Sequence, residues 1–282
     1  MVNEKALEKA NKICRETISY AKSIIKPGML LLDIAEKIEN KIIELGGKPG
    51  FPTNLCINEI AAHDTPSSND ERIAEGLLKV DIGVSVDGWV ADYAFSLDLE
   101  DNEENKQLIE ASDKALAAAL RMVKKGVKLG EIGKAIEEEI EKKGFTSIKN
   151  LSGHEIGHYE LHAGLTIPNY SNKSDVELDG GIYAIEPFAT SGQGLIYDGK
   201  ESGIFRIENS GNVRDATARK ILKFVEEEYK TLPFCERWIK KKFPNSRFAI
   251  SLLKKSGILH EYSTLVEKSH KPVSQSEATV II

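Results

Sequence analysis

The sequence is poor in cysteine, in basic charge and in long apolar runs, and each shortage excludes a class of protein. Cys14, Cys56 and Cys235 are odd in number and far apart. They fit the reduced thiols of a cytoplasmic protein better than a disulfide framework. No stretch approaches the roughly 20 apolar residues that span a bilayer, so no membrane partner is expected. The opening MVNEKALEKANKICRE alternates charged with apolar residues and does not read as a signal peptide. A formal net charge of −6 argues against non-specific nucleic-acid binding. No segment is of low complexity. What remains is an ordinary globular composition, 41% hydrophobic and 29% charged over 282 residues, enough for one large domain or two small ones.

Apolar positions at Leu7, Ala10, Ile13, Cys14, Ile18 and Ala21 predict a helix over about 4–25, broken by Pro27-Gly28. A second helix is expected with Asp33 as its cap, Ile34, Ile38, Ile42 and Leu45 on one face, and Gly46-Gly47 at its end. Residues 51–62 look extended. A third helix is expected over about 102–124 and a fourth over about 130–143, stopping at Gly144. Shifting 26–46 by 98 residues puts Gly28 on Gly126, Leu31 on Leu129, Ile34 on Ile132 and Ile38 on Ile136. It also puts Glu39 on Glu137, Ile42 on Ile140 and Gly46 on Gly144. Such a repeat suits two half-domains about a pseudo-twofold axis with a site in the cleft between them. Chance similarity of two amphipathic helices is the alternative. Strands and loops are expected over 148–205, a compact helical insert over about 213–260, and VSQSEATVII as one final strand.

The chemistry starts at LKVDIGVSVDGWVADYAFSL, residues 78–97. Period-two alternation on both sides of Asp87-Gly88 predicts a β-hairpin with a two-residue turn. In that register Val86 faces Trp89, Gly83 faces Asp92 and Asp81 faces Ala94. Asp81 and Asp92 become diagonal neighbours on one face, roughly 7–8 Å apart at the backbone, beside a hollow left by Gly83 and Ala94. Two carboxylates converging there repel each other unless cations sit between them, and the spacing suits two metal ions about 3.5–4 Å apart. A bulge would flip the parity, and two solvent-facing aspartates on an edge hairpin are the plainer alternative.

Further donors lie downstream. His154, His158 and His162 crowd into GHEIGHYELHAG, and His154 to His158 matches the HExxH zinc-protease string. That string needs a helix, and Gly153, Gly157 and Gly164 disfavour one at about 1 kcal/mol each relative to Ala; a strand or loop leaves His154 alone as a ligand. Glu186 in YAIEPF and Glu277 in the final segment are carboxylates inside apolar strands, which is expensive without a cation. Four carboxylates and an imidazole make a hard, oxygen-rich site for divalent ions.

In their spacing, Asp81, Asp92, His154, Glu186 and Glu277 resemble the ligands of the pita-bread dinuclear metallopeptidases. The flanking strings Phe51-Pro52-Thr53, Ala61-Ala62-His63, NLSGH at 150–154, LHAG at 161–164, AIEPF at 184–188 and TLPFCERW at 231–238 narrow the resemblance to type II methionine aminopeptidases. The absence of a basic N-terminal extension points to the archaeal type. The resemblance covers nearly the whole chain. It implies an α/β (α+β) pita-bread fold, a curved antiparallel sheet flanked by helices with internal pseudo-twofold symmetry, in a single catalytic domain over 1–282 that carries the insert.

The implied function is hydrolytic removal of the initiator methionine from nascent polypeptide N-termini, with a small uncharged second residue preferred. The implied cofactor is two divalent ions, cobalt, manganese, iron or zinc. Asp81 would hold one ion, His154 and Glu186 the other, with Asp92 and Glu277 bridging, and a hydroxide between the ions would attack the first peptide carbonyl. Glu186 would shuttle the proton, and His63 and His162 would hydrogen-bond the substrate and its tetrahedral intermediate. Phe51, Leu161, Phe188, Tyr262 and Leu265 fall where the family lines its methionine pocket, although an ordinary core is the alternative for the aromatic ones. His158, His260 and His270 match no role. A monomer with transient ribosome contact and no specific nucleic-acid partner is expected.

One departure stands out. The family's usual Gln-Phe-Glu-His-Thr around the last ligand is here Gln275-Ser276-Glu277-Ala278-Thr279, which puts the surroundings of Glu277 in doubt. Two rivals remain: an Xaa-Pro aminopeptidase or dipeptidase of the same fold, and a non-catalytic binding protein of that fold. The insert and the intact ligand set argue against them.

Overall fold

The computed structural model describes residues 2–282. Helix α1 (Glu4–Ile24) starts where the Asn3 side chain accepts the Ala6 N–H, and α2 (Leu31–Glu44) follows. Strands β1 (Lys48–Pro49), β2 (Asn54–Ile57) and β3 (Ile60–Ala62) lead into the long hairpin of β4 (Leu77–Val86) and β5 (Trp89–Asp98). Helices α3 (Glu103–Met122) and α4 (Leu129–Glu141) come next. They are followed by β6 (Thr146–Ser147), β7 (Ser152–Gly157), β8 (Glu160–Pro168), β9 (Ile182–Ile185), β10 (Phe188–Thr190) and β11 (Ile196–Ile207). The last third holds α5 (Ala216–Glu228), β12 (Phe234–Cys235), α6 (Glu236–Lys242), α7 (Arg247–Lys255), β13 (Leu259–Glu267), β14 (Val273–Gln275) and β15 (Ala278–Ile281).

Every strand pairing is antiparallel. One ladder carries β1 and β2 on one side of β4 and β5 on the other; a second runs β15-β9-β7-β8; a third β12-β11-β13-β3; a short one β14-β10-β6. The free side of β5 meets the C-terminal segment. The Glu277 N–H donates to the Ala94 carbonyl at 2.9 Å, and the Ser96 hydroxyl bonds the Gln275 backbone at 2.8 and 2.9 Å. These bonds carry the hairpin ladder into the β15-β9 ladder, and the sheet curls.

The repeat is real in three dimensions. Gly28 and Gly126 have φ of +81° and +82°, and Gly46 and Gly144 +84° and +80°, a left-handed backbone that side chains resist. The Gly28 N–H donates to the Ala74 carbonyl at 2.8 Å and the Gly126 N–H to the Leu178 carbonyl at 2.7 Å. Ile34, Ile38 and Ile42 bury against the first hairpin with α1, while Ile132, Ile136 and Ile140 bury in a second core with α3, Tyr183 and Ile185. Helices α5, α6 and α7 form a third core, whose floor includes Phe205 of β11 and Leu259 of β13.

Two expectations are corrected. Asp33 is not the cap of α2: the helix begins at Leu31 behind Leu30, without a side-chain cap. Asp33 lies in the first turn, where its charge favours the helix dipole. The C-terminal segment is two strands, not one: β14 pairs with β10 and β15 with β9. The backbone changes sheets at Ser276-Glu277 because the Ser276 hydroxyl is drawn to α3, within 2.9 Å of Ser112 Oγ and 2.6 Å of Asp113 Oδ1.

Candidate metal centre

Strands β4 and β5 pair without a bulge, Val86 facing Trp89, Gly83 facing Asp92 and Asp81 facing Ala94. Both aspartates line one cavity of about 450 Å³. His154 enters it from β7, pinned between Thr166 of β8 and Ala184 of β9. Glu186 enters from the residue after β9, and Glu277 from the break between β14 and β15. Nε2 of His154 lies 3.6 Å from Asp92 Oδ2 and 3.8 Å from Glu186 Oε1. Donor atoms of Asp92, His154 and Glu277 all lie within 4.8 Å of one another. Asp81 and Glu186 stand outside that group of three but line the same cavity.

Electrostatics say what the cluster lacks. No lysine or arginine lines the cavity among the described residues. Burial, reinforced by the neighbouring carboxylates, pushes Asp92, Glu186 and Glu277 well above the usual carboxylate range, and burial lifts Asp81. Oδ1 of Asp81 and Oδ1 of Asp92 are buried without a hydrogen-bond partner, a state proteins rarely leave uncompensated. Burial lowers His154 to about 4, which keeps its imidazole neutral, as a metal ligand must be. Orphaned carboxylate oxygens and a neutral imidazole fit a hard divalent cation. The helical zinc-protease reading fails, since His154 lies on a strand and His158 in the turn beyond it, its Nε2 2.8 Å from the Asp87 carbonyl oxygen and its ring stacked on Trp89.

The other predicted side chains line the same cavity: His63, His162, Phe51, Leu161, Phe188, Tyr262 and Leu265. His63 sits just after β3 at φ +59°, its ring edge-on to Tyr262 at 5.1 Å. His162, on β8, lies edge-on to His154 at 4.5 Å. Burial pushes both imidazoles down, His63 to about 4, so each is neutral at pH 7 with one N–H to donate. His260 and His270 are exposed.

Some participants escaped the sequence. Asn54, opposite Asp81 in the β2-β4 ladder, lines the cavity with its Oδ1 unpartnered, while Ile204 lines it from β11 and Pro233 from the helical part of the chain. Thr279 was visible only as the retained last letter of its string. Its hydroxyl accepts the Asp92 N–H at 2.7 Å and donates to the Asp92 carbonyl at 2.9 Å. Period two from Glu277 could have flagged it; nothing local flags Asn54 or Pro233.

Residues 5–215 match the description Metallopeptidase family M24. The chain is 47% identical over 284 residues to a methionine aminopeptidase of Archaeoglobus fulgidus, covering 100% of this chain and 95% of the relative. Among solved structures, a thermophilic Arx1 superposes with a TM-score of 0.84 at 16% identity, covering 100% of this chain and 89% of the other. A methionine aminopeptidase of Thermotoga maritima superposes with a TM-score of 0.72 at 22% identity, covering 100% and 94%. At these identities the two structures show the fold alone.

Proposed function

The chain belongs to metallopeptidase family M24, among the methionine aminopeptidases of archaeal type, and on that premise we propose that its cavity cuts the initiator methionine from nascent chains with two divalent ions held by Asp81, Asp92, His154, Glu186 and Glu277. The enzyme is a metal-dependent exopeptidase acting on peptides. Two ions rather than one are supported by the donor supply, since four carboxylates with two oxygens each, two of them orphaned, and an imidazole offer more donor atoms than a single octahedral ion takes. When bound, the ions supply a Lewis acid for the first peptide carbonyl and a lowered pKa for the attacking water.

Glu186 would take the proton from that water and hand it to the leaving amine. Neutral His63 and His162 donate to the carbonyl oxygen as it gains charge. Phe51, Leu161, Phe188, Tyr262 and Leu265 surround the methionine side chain. The preference for a small second residue is carried over from the methionine aminopeptidases that this chain resembles. Three buried free thiols support a reducing cytoplasm, and a nascent-chain substrate supports transient ribosome contact. Among the described residues no helix is long and apolar enough to cross a membrane. Full-length similarity to methionine aminopeptidases does not favour the Xaa-Pro reading.

The convergence of five metal-binding side chains on one cavity carries the proposal. The experiment compares methionine release from Met-Ala-Ser with cleavage of an Xaa-Pro peptide, before and after chelation. Release from Met-Ala-Ser alone is expected, lost on chelation, restored by Mn²⁺ or Co²⁺, and abolished by Asp92→Ala or Glu277→Ala. Activity indifferent to both substitutions rejects the assignment.

A further inference from the structure

Glu39 of α2 and Arg237 of α6 are 5% and 2% exposed, and neither lines the metal cavity. Nη1 and Nη2 of Arg237 donate to the two Glu39 carboxylate oxygens at 2.7 and 2.8 Å, the two-pronged fit of guanidinium to carboxylate. Trp238 Nε1 adds a third bond to Glu39 at 2.8 Å. A buried ion pair is weak as a stabilising device, so its placement asks for another explanation.

The remaining bonds of the pair supply one. Glu39 Oε1 also accepts the Thr53 N–H at 3.3 Å, and Arg237 Nε donates to the Pro66 carbonyl at 3.1 Å. Thr65 Oγ1 ties off the Thr53 carbonyl at 2.9 Å. Thr53 sits inside the stretch whose neighbours Phe51, Pro52 and Asn54 form one cavity wall. On its other side the Phe51 ring packs against Gly83, where an added Cβ would come within 2.2 Å of Phe51 Cε1, and Gly83 is the cross-strand partner of Asp92. The wall is therefore held between the metal hairpin and the ion pair. The repeat sharpens the point. Glu137, the counterpart of Glu39, likewise accepts a backbone N–H, that of Ser171 at 2.9 Å, but its cation is Lys149 at 3.5 Å, with a half-exposed side chain. Only the first half draws an arginine from the helical third of the chain, which also sends Pro233 into the cavity.

We propose that Glu39, its buried charge balanced by Arg237, is a positioning residue that sets the width of the methionine pocket by holding Phe51–Asn54 in place, and so governs side-chain selectivity rather than bond cleavage. This rests on the peptidase reading above. The test compares two double variants, Glu39→Leu with Arg237→Met and Glu39→Gln with Arg237→Met. Both lose the ion pair, but only glutamine still accepts from Thr53. The readout is the ratio of kcat/KM for Met-Ala-Ser to that for Leu-Ala-Ser, which cancels any loss of folded protein. The leucine variant is expected to lose tenfold or more of that ratio, through KM, as befits a pocket that has changed by about a methylene. The glutamine variant should stay within about threefold of wild type, on the same scale. Equal ratios in the two variants overturn the proposal. If the leucine variant does not fold, Thr65→Val releases the same peptide from its other side, and an unchanged ratio there overturns it too. A wild-type protein that releases no methionine rejects the peptidase reading; release with a ratio insensitive to these changes rejects only this inference.

Discussion

Asp92, a proposed metal ligand, has its backbone fixed by a neighbour outside the proposed donor set. The Thr279 hydroxyl bonds both its N–H and its carbonyl, which fixes the backbone from which the carboxylate projects. Thr279→Val keeps the shape and removes both bonds. It is expected to weaken Mn²⁺ binding by about 10–100-fold, the usual cost of losing such support, measured by titration calorimetry. His63 makes a different prediction. Burial lowers its imidazole to about 4, Asp198 opposing and His260 adding to the effect, against about 6.5 in the unfolded chain. Between those values the unfolded chain takes up a proton that the folded one refuses, so stability falls as pH drops from about 6.5 toward 4. His63→Gln should lose less stability than wild type over that window in denaturant titrations. The wild-type ring should show no NMR titration above about pH 5.

At the scale of elements, the C-terminal break is where this chain parts from its family's usual string. Ser276 is 1% exposed and bonds Ser112 and Asp113 of α3. Where the family has an aromatic filler, this chain uses a hydroxyl to steer the backbone between two sheets. Ser276→Ala should cost about 1 kcal/mol in chemical denaturation, because Asp113 Oδ1 loses the hydroxyl that donates to it, while Ser112 keeps its bond to the Ile109 carbonyl and metal affinity stays unaltered. The hairpin needs no such help. Asp87 at φ +51° and Gly88 at φ +82° make the turn that alternation on either side demanded, and the aspartate register follows from counting.

At the scale of the whole molecule, two similar halves enclose one site. Gly28 and Gly126 occupy the same left-handed bend at the head of α2 and of α4. An added Cβ meets nothing within 4 Å at Gly28, and only the tip of Glu177 at 4.0 Å at Gly126. Gly28→Ala and Gly126→Ala should therefore each cost about 1–2 kcal/mol from backbone strain alone. Being in separate cores, the two costs should add within about 0.5 kcal/mol in the double variant; a clear excess would show that the halves are coupled through these bends.

What the sequence determined by itself was local or periodic. The hairpin register and the helix pairs with their glycine stops follow from spacings of a few residues, because side-chain direction repeats every two residues in a strand and every 3.6 in a helix. Tertiary structure alone decided what depends on closing long loops. It set the break at Ser276-Glu277, brought Asn54 and Pro233 into the cavity wall, and joined Glu39 to Arg237 across 198 residues of chain. No local pattern encodes such meetings, since their energy exists only once the two halves and the helical third have excluded water between them.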